Sequence, residues 1–348
     1  MIMRRKSTEI RLGNVTIGGN APVSVQSMTK TDTRNIPATI SQIKELEECG
    51  CEIIRLAIPD MEAATALKSI RKEVRIPIVA DIHFDYRLAL AALSAGADGL
   101  RLNPGNIGDP ERVKAVVRAA KEREIPIRIG VNAGSLPKDL PPELTTAQKM
   151  VKAAMGHIKI LEALDFSLIK VSLKAFDVPT TVEAYRQIAP LIPYPLHVGI
   201  TETGTPKTGL VRSAVGIGNL LYMGIGDTIR VSLTSPPQEE VFAAYEILKS
   251  LNLRQRGPVL VSCPTCSRTE VDIVGIAARV QEALNKVDKP IRVAVMGCAV
   301  NGPGEAKEAD LGIACGKGQG LLFRKGEKIA SFPEDELVNA LLREIASL

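Results

Sequence analysis

The sequence predicts an α/β chain in which an N-terminal TIM (β/α)8 barrel is followed by a small α/β domain, and three observations carry that prediction. Eight short apolar runs rich in β-formers alternate with segments of helical periodicity. Polar side chains collect at the late positions of those runs. The alternation stops after Ser250, roughly the length at which such a barrel is complete.

In chain order the strand candidates are APVSVQSM (21–28), EIIRLAI (52–58), IPIVADIHF (76–84), GLRLNP (99–104), IPIRIGVN (125–132), SLIKVSLK (167–174), PLHVGITE (195–202) and DTIRVSLT (227–234). Between them ATISQIKELEECG, MEAATALKSIRKE, DYRLALAALSAGA, DPERVKAVVRAAKERE and TAQKMVKAAMGHIKILEAL repeat apolar residues every three or four positions, the period of an amphipathic helix. An open doubly wound sheet would carry a Gly-rich fingerprint after its first strand, and none occurs. A linker over 251–258 (LNLRQRGP) then separates the barrel, 1–250, from a domain over 259–348. That domain reads as strand VLVS, helix EVDIVGIAARVQEALNKV, strands IRVAVMG, DLGIACG, GLLFRKG and KIASF, and a closing helix PEDELVNALLREIAS.

Composition narrows the function. The 348 residues are 45% hydrophobic, enough for a large core, while a net charge of +5 with acids and bases interleaved and only 3% aromatics gives no basic stacking surface for nucleic acid. The basic start MIMRRKSTEIRLG is followed by no apolar signal segment, and no later run is long enough to cross a membrane, so a soluble cytoplasmic protein is expected. Six cysteines are too few for a disulfide scaffold, and three of them cluster near the C-terminus, which favours metal or redox chemistry in a reducing compartment.

Barrel enzymes place their sites at the C-terminal ends of the strands. Here those ends carry Asp81 and His83, Arg101 and Asn103, Arg128 and Asn132, Lys174, Glu202 and Ser232, with Arg55 inside the second strand. Spacings of two or four within a strand put each pair on one side. Arg55, Arg101, Arg128 and Lys174 would repel one another unless an anion fills the space, and guanidinium forks match phosphate oxygens. Glu202 is a carboxylate among cations, either an acid/base or a balancing salt bridge, and Asp81 and His83 carry the same ambiguity.

CPTCSRTE (263–270) and MGCAVNGPGEA (296–306) place Cys263, Cys266 and Cys298 at strand exits. A redox dithiol would need only the first two; structural zinc would want a fourth Cys or His, and no His follows His197. An iron–sulfur cluster accepts thiolates from separated loops and ranks first, with Cys315, Glu305 or no protein group as the fourth ligand. Cys49 and Cys51 read as packing residues. Two readings from other classes stand beside this one: an electron carrier on a barrel scaffold, and a zinc-holding module beside a phosphate-binding transferase or aldolase.

The segments VQSMTKTDT, EIIRLAIPD, VADIHFD, GLRLNPGN, IRIGVNAGSL, HVGITETG, GIGDTIRVSLT, SCPTCSRTE and MGCAVNGPGEA span most of the chain in order. Together they resemble the signature segments of the 4-hydroxy-3-methylbut-2-enyl diphosphate synthase family of the non-mevalonate isoprenoid pathway, in its bacterial two-domain form. The resemblance implies reductive opening of 2-C-methyl-D-erythritol 2,4-cyclodiphosphate with loss of water. It implies two electrons from flavodoxin or ferredoxin, and a [4Fe-4S] cluster held by Cys263, Cys266, Cys298 and Glu305. Substrate contacts implied are Arg55, His83, Arg101, Arg128, Asn132, Lys174 and Ser232, with Glu202 as proton donor assisted by Asp81 or His83. It also implies a homodimer in which the cluster domain of one chain caps the barrel of the other. Cys315 falls outside the implied ligand set, and Thr203 stands where the family often has Ala.

Overall fold

The computed structural model describes residues 2–347 apart from 270, 299–303 and 305–306. It divides into two compact units, Met1–Arg254 and Gln255–Leu348.

In the first unit, a short antiparallel hairpin, β1 (Ile10–Leu12) and β2 (Val15–Ile17), precedes eight parallel strands. These are β3 (Ser24–Met28), β4 (Ile53–Ala57), β5 (Ile78–Asp81), β6 (Gly99–Leu102), β7 (Ile127–Asn132), β8 (Ile169–Lys174), β9 (His197–Val198) and β10 (Thr228–Ile229). They lie in the order β8-β7-β6-β5-β4-β3-β10-β9, and a parallel bridge from Val171 to Leu196 brings the two ends together. The expected barrel is therefore present, nearly closed. The last two strands are much shorter than their apolar runs. Beyond Val198 the backbone of Gly199 passes so close to the Arg230 carbonyl that a Cβ would sit 2.4 Å from it, and Glu202 turns the chain with φ +57°.

Eight helices clothe the barrel: α1 (Ile36–Glu48), α2 (Met61–Glu73), α3 (Tyr86–Ser94), α4 (Pro110–Glu122), α5 (Thr146–Glu162), α6 (Val178–Ile188), α7 (Pro206–Tyr222) and α8 (Pro237–Ser250). Their starts follow from the sequence. Asp60, Asp85, Asp109 and Asp177 cap α2, α3, α4 and α6 through backbone N–H groups, and Thr145 with Gln148 forms a capping box on α5, each cap contributing about 1 kcal/mol. The inward helix faces, such as Val113, Val116, Val117 and Ala120 of α4, pack on alternate strand residues such as Ile54, Leu56, Ile129, Val171 and Leu173 to form one apolar layer. Leu251 and Leu253 lie against this core, and Arg254 pairs with Glu52 at 3.0 Å.

The hairpin explains the barrel's lower end. Ile10, Leu12 and Ile17 are buried against Ile53 and Val79 from inside the barrel. Gly99 makes room for this plug, since a Cβ there would lie 2.9 Å from Leu12 Cδ1. The bottom is apolar and filled, and the other end is left for the polar side chains.

The second unit is a five-stranded sheet in the order β11 (Val259–Ser262), β12 (Arg292–Met296), β13 (Leu311–Gly316), β14 (Gln319–Arg324), β15 (Glu327–Pro333). Its first three strands are parallel and its last two pairings antiparallel. Helices α9 (Ile273–Leu284) and α10 (Glu334–Ala346) bury Val280, Leu284, Leu337 and Leu341 against Val293, Val295, Ile313 and Leu322. Every element expected here is present.

Leu12→Ala should cost about 2–5 kcal/mol, the range for emptying a buried leucine site. Urea unfolding of the variant measures it, with no loss of the cysteine-bearing unit's own packing expected.

Candidate functional site

Inward-facing residues of the barrel strands form layers above the plug. On β7 and β8, Arg128, Gly130 and Asn132 share one side, as do Lys170, Ser172 and Lys174. Asp81, at the end of β5, is the hub. Its Oδ2 lies 3.5 Å from Arg55 Nε and 3.7 Å from His83 Nε2, and its Oδ1 lies 3.3 Å from Arg101 Nη1. Burial opposes its ionisation, but Arg55, the His83 hydrogen bond, Arg101 and Arg128 outweigh that and hold the carboxyl well below the usual carboxylate range.

Arg101 is fixed by its neighbours. Its Nη2 donates to the Gly130 carbonyl at 3.0 Å, and a Cβ on Gly130 would come within 2.6 Å of its Nε, so only glycine lets the guanidinium lie there. Asn103 clamps Gly130 on both sides, donating to Gly130 O at 3.0 Å and accepting from Gly130 N at 2.9 Å.

Positive charge exceeds negative charge in this layer. Burial lowers the Arg55 guanidinium to about 10, with Asp81 opposing and Arg230 and Arg101 adding to the shift. Arg128, 3% exposed, is pushed far down by burial and then by Arg55 and Arg101. Its Nε and Nη1 are buried without a hydrogen-bond partner. Lys174 is driven down by burial and by Arg128, Arg230, Arg55 and Arg101 in turn. On the far side Glu240 of α8 takes Lys30 at 3.1 Å and Arg230 at 3.7 Å. An anion entering this ring would meet donors already stripped of water, which strengthens each contact.

In the second unit the ends of β11 and β12 converge on a cavity of about 130 Å³ lined by Cys263, Pro264, Cys266, Arg268, Thr269, Met296 and Cys298. The Gly297 amide donates to Cys263 Sγ at 3.1 Å. Donors from the Arg268 backbone and the Thr269 hydroxyl lower the Cys266 thiol. Among the described residues no group of three His, Cys, Asp or Glu side chains is close enough to hold a single metal ion, so the thiols edge a space rather than meet at a point. Three sulfurs around one cavity, with donors aimed at two of them, fit a bulky iron–sulfur cluster better than zinc. Glu305 lies outside the described residues. Cys315 is buried in β13, where burial, Glu334 and Cys263 raise its thiol to about 11, and it does not line the cavity.

Comparison with known proteins is decisive. Residues 7–245 match the GcpE TIM-barrel domain and residues 259–347 the GcpE protein C-terminal domain. The chain belongs to the GcpE family. The 4-hydroxy-3-methylbut-2-en-1-yl diphosphate synthase (flavodoxin) of Dehalococcoides mccartyi strain CBDB1 is 92% identical over 348 residues, 100% of both chains. The enzyme of the same name from Thermodesulfovibrio yellowstonii is 60% identical, covering 99% of both. Among solved structures, dihydropteroate synthase from Stenotrophomonas maltophilia matches 71% of this chain and 97% of its own at TM-score 0.53 and 13% identity, a likeness of fold alone.

Within this GcpE chain the sequence-predicted residues separate into groups. Arg55, Asp81, His83 and Arg101 are joined by the contacts above, and Arg128 and Lys174 sit within electrostatic range of them. Asn132 ends β7 beside Lys174 in the ladder. Ser232 follows β10, its carbonyl accepting from Thr203 Oγ1. Glu202 is exposed in a left-handed turn that Arg212 braces by donating to the Thr203 carbonyl at 2.8 Å. No hydrogen bond or ion pair ties the Asn132, Glu202 or Ser232 side chain to the Asp81 cluster among the described residues. Arg230 and Glu240 were not anticipated. Arg230 stands two residues before Ser232, and that spacing was its signal; Glu240 sits on a helix and gave none.

Asp81→Asn should cost about 3–5 kcal/mol, because it leaves buried guanidinium groups without their counter-charge. The folded carboxyl lies below its unfolded value of about 3.9, so Asp81 stabilises above that pH and the contribution is lost as pH falls through the folded value. Denaturant unfolding should therefore show the gap between wild type and variant narrowing steadily as pH is lowered from ~7 to ~2.

Proposed function

We propose that this chain opens the ring of 2-C-methyl-D-erythritol 2,4-cyclodiphosphate reductively, with loss of water, to give 4-hydroxy-3-methylbut-2-en-1-yl diphosphate. The observation that carries this reading is Arg128: a sealed guanidinium with two unpartnered nitrogens in a ring of cations is a site waiting for phosphate oxygens. The names of the full-length relatives support it.

Arg55, Arg101, Arg128, Asn132, Lys174 and Ser232 hold the substrate, joined by Arg230. Their fixed charges neutralise the negative charge that develops on the departing oxygen. Glu202 gives the proton to the leaving hydroxyl, and its exposure at the mouth lets it recharge from solvent. Asp81 stays ionised and orients Arg55, Arg101 and His83 rather than acting as an acid.

Cys263, Cys266 and Cys298, with Glu305 as the fourth ligand, hold a [4Fe-4S] cluster. Bound there, such a cluster would supply one-electron chemistry, with flavodoxin or ferredoxin as the source of the two electrons the reaction needs. Gly297 N–H donates to Cys263 Sγ, and the Thr269 hydroxyl favours the thiolate form of Cys266. The carboxylate of Glu305 is a harder ligand than a thiolate and leaves more readily. The active assembly is a cytoplasmic homodimer in which the cluster domain of one chain caps the barrel of the other.

Anaerobic protein supplied with dithionite and a dye mediator should convert the cyclic diphosphate to the open-chain product. Electron consumption without product would mark a carrier instead, and a colourless preparation holding zinc would end the cluster assignment. Glu202→Gln should lower kcat by about 10²–10⁴. Capping across chains predicts that mixing two inactive variants, Arg128→Gln and Glu305→Ala, restores turnover. Strictly additive inactivity in the mixture argues against it.

A further inference from the structure

Beside Arg128, whose register partner on β8 is Lys170, the barrel holds polar side chains that the proposed reaction does not use. Gln26, Lys170 and His197 face inward from β3, β8 and β9, at 2%, 1% and 0% exposure. Both amide atoms of Gln26, the Nζ of Lys170 and both ring nitrogens of His197 are buried without a hydrogen-bond partner. Unpaired polar groups in a closed interior are costly, and a lysine among them is the most costly when charged.

The charge in the barrel decides how that cost is relieved. Arg55, Arg101, Arg128 and Arg230 cannot shed their protons under ordinary conditions. Only the lysines can discharge, and two of them, Lys170 and Lys174, lie four residues apart on the same side of β8. Lys174 faces Arg128, Arg230, Arg55 and Arg101, which act on it most strongly after burial. Lys170 meets Arg128, its register partner on β7, and the Asp227 carboxylate from the turn before β10, and burial with Arg128 brings it to about 7. His197, from β9, is held neutral by burial and then by Lys174, Arg128, Lys170 and Arg55. For Lys170 the Asp227 carboxylate is an opposing charge that keeps a proton within reach.

We propose that Lys170 takes up a proton when an oxyanion of the phosphate or sulfate class fills the cationic ring, linking anion affinity to protonation. The idea rests on the reading of the ring as an anion site. A proton from solvent adds to the Nζ lone pair, and no other bond forms or breaks. The sign follows from linkage: the anion favours the ammonium, so the occupied barrel holds more protons than the empty one. Affinity then falls as pH rises above the value of the free lysine, and the link disappears below it, where the lysine is already charged.

Sulfate is a suitable probe, since it exchanges no proton itself in the relevant range. Its Kd on the full chain is measured by titration calorimetry at constant ionic strength from pH ~6 to pH ~9. For the wild type, Kd should stay level up to about pH 7 and then rise, approaching tenfold per pH unit. Lys170→Met should bind sulfate with a Kd that is level across the range, and Lys170→Gln repeats the measurement if the Met variant does not fold. A slope that survives in either variant assigns the proton to another group, such as Lys174, and overturns the proposal, as does wild-type binding with no slope. Absence of saturable wild-type binding would instead remove the anion-site reading itself, so the two failures are distinguishable.

Discussion

The barrel depends on a surplus of buried positive charge that its own carboxylates only partly offset. Asp81 serves two arginines and His83, and Glu240 a lysine and an arginine, while among the described residues Arg128 has no acid within bonding distance. Such an interior is tolerable because the surrounding shell is strong: apolar strand residues packed on eight helices hold the cations where mutual repulsion would drive them apart. Stability generated in the outer layer is thus spent on a destabilised inner one. On the proposed reading, an anion among these cations would relieve their repulsion, so binding and preorganisation would be one property.

Small local features give this charge its shape. Gly130 leaves the space that Arg101 crosses, and Asn103 clamps the peptide against which Arg101 rests. Gly199 lets β9 approach the Arg230 carbonyl, with Lys174 Nζ close by. A methyl group at either glycine would move a cation, so specificity in this ring is set by the absence of side chains as much as by their presence. The cysteine cavity follows a similar rule, since Gly297 brings a backbone donor onto Cys263 Sγ where a side chain would crowd Thr269.

Much of this was legible in the sequence because alternation and helical period report burial directly. All eight barrel strands and all seven elements of the second unit lie within their predicted runs or within a residue or two of them. The hairpin β1–β2 escaped notice because three-residue strands are too short to establish a period. The last two barrel strands were overextended for a different reason: an apolar run reports burial, not ladder bonding, and after β9 the chain leaves the ladder at Gly199 while it is still buried. The cations at strand ends could be read from spacing. Arg230 carried the same spacing and was passed over, and Glu240 reaches the ring from a helix that no strand-end rule covers. Lys170 looked like one polar residue in a strand; only its closed surroundings reveal that it is unpaired. The three cysteines were legible from their positions at strand exits, whereas Glu305 rests on family resemblance.

The hairpin plug has a consequence for traffic. With Ile10, Leu12 and Ile17 filling the lower end, the barrel is a vessel with one door. Substrate, product and displaced water must all use the same opening, so nothing can be pushed through from behind. Whatever covers that mouth during reaction must withdraw before each release. With the capping proposed above, turnover would be paced by an opening step as well as by chemistry, and a tighter cover would protect the reaction while slowing the exit of its product.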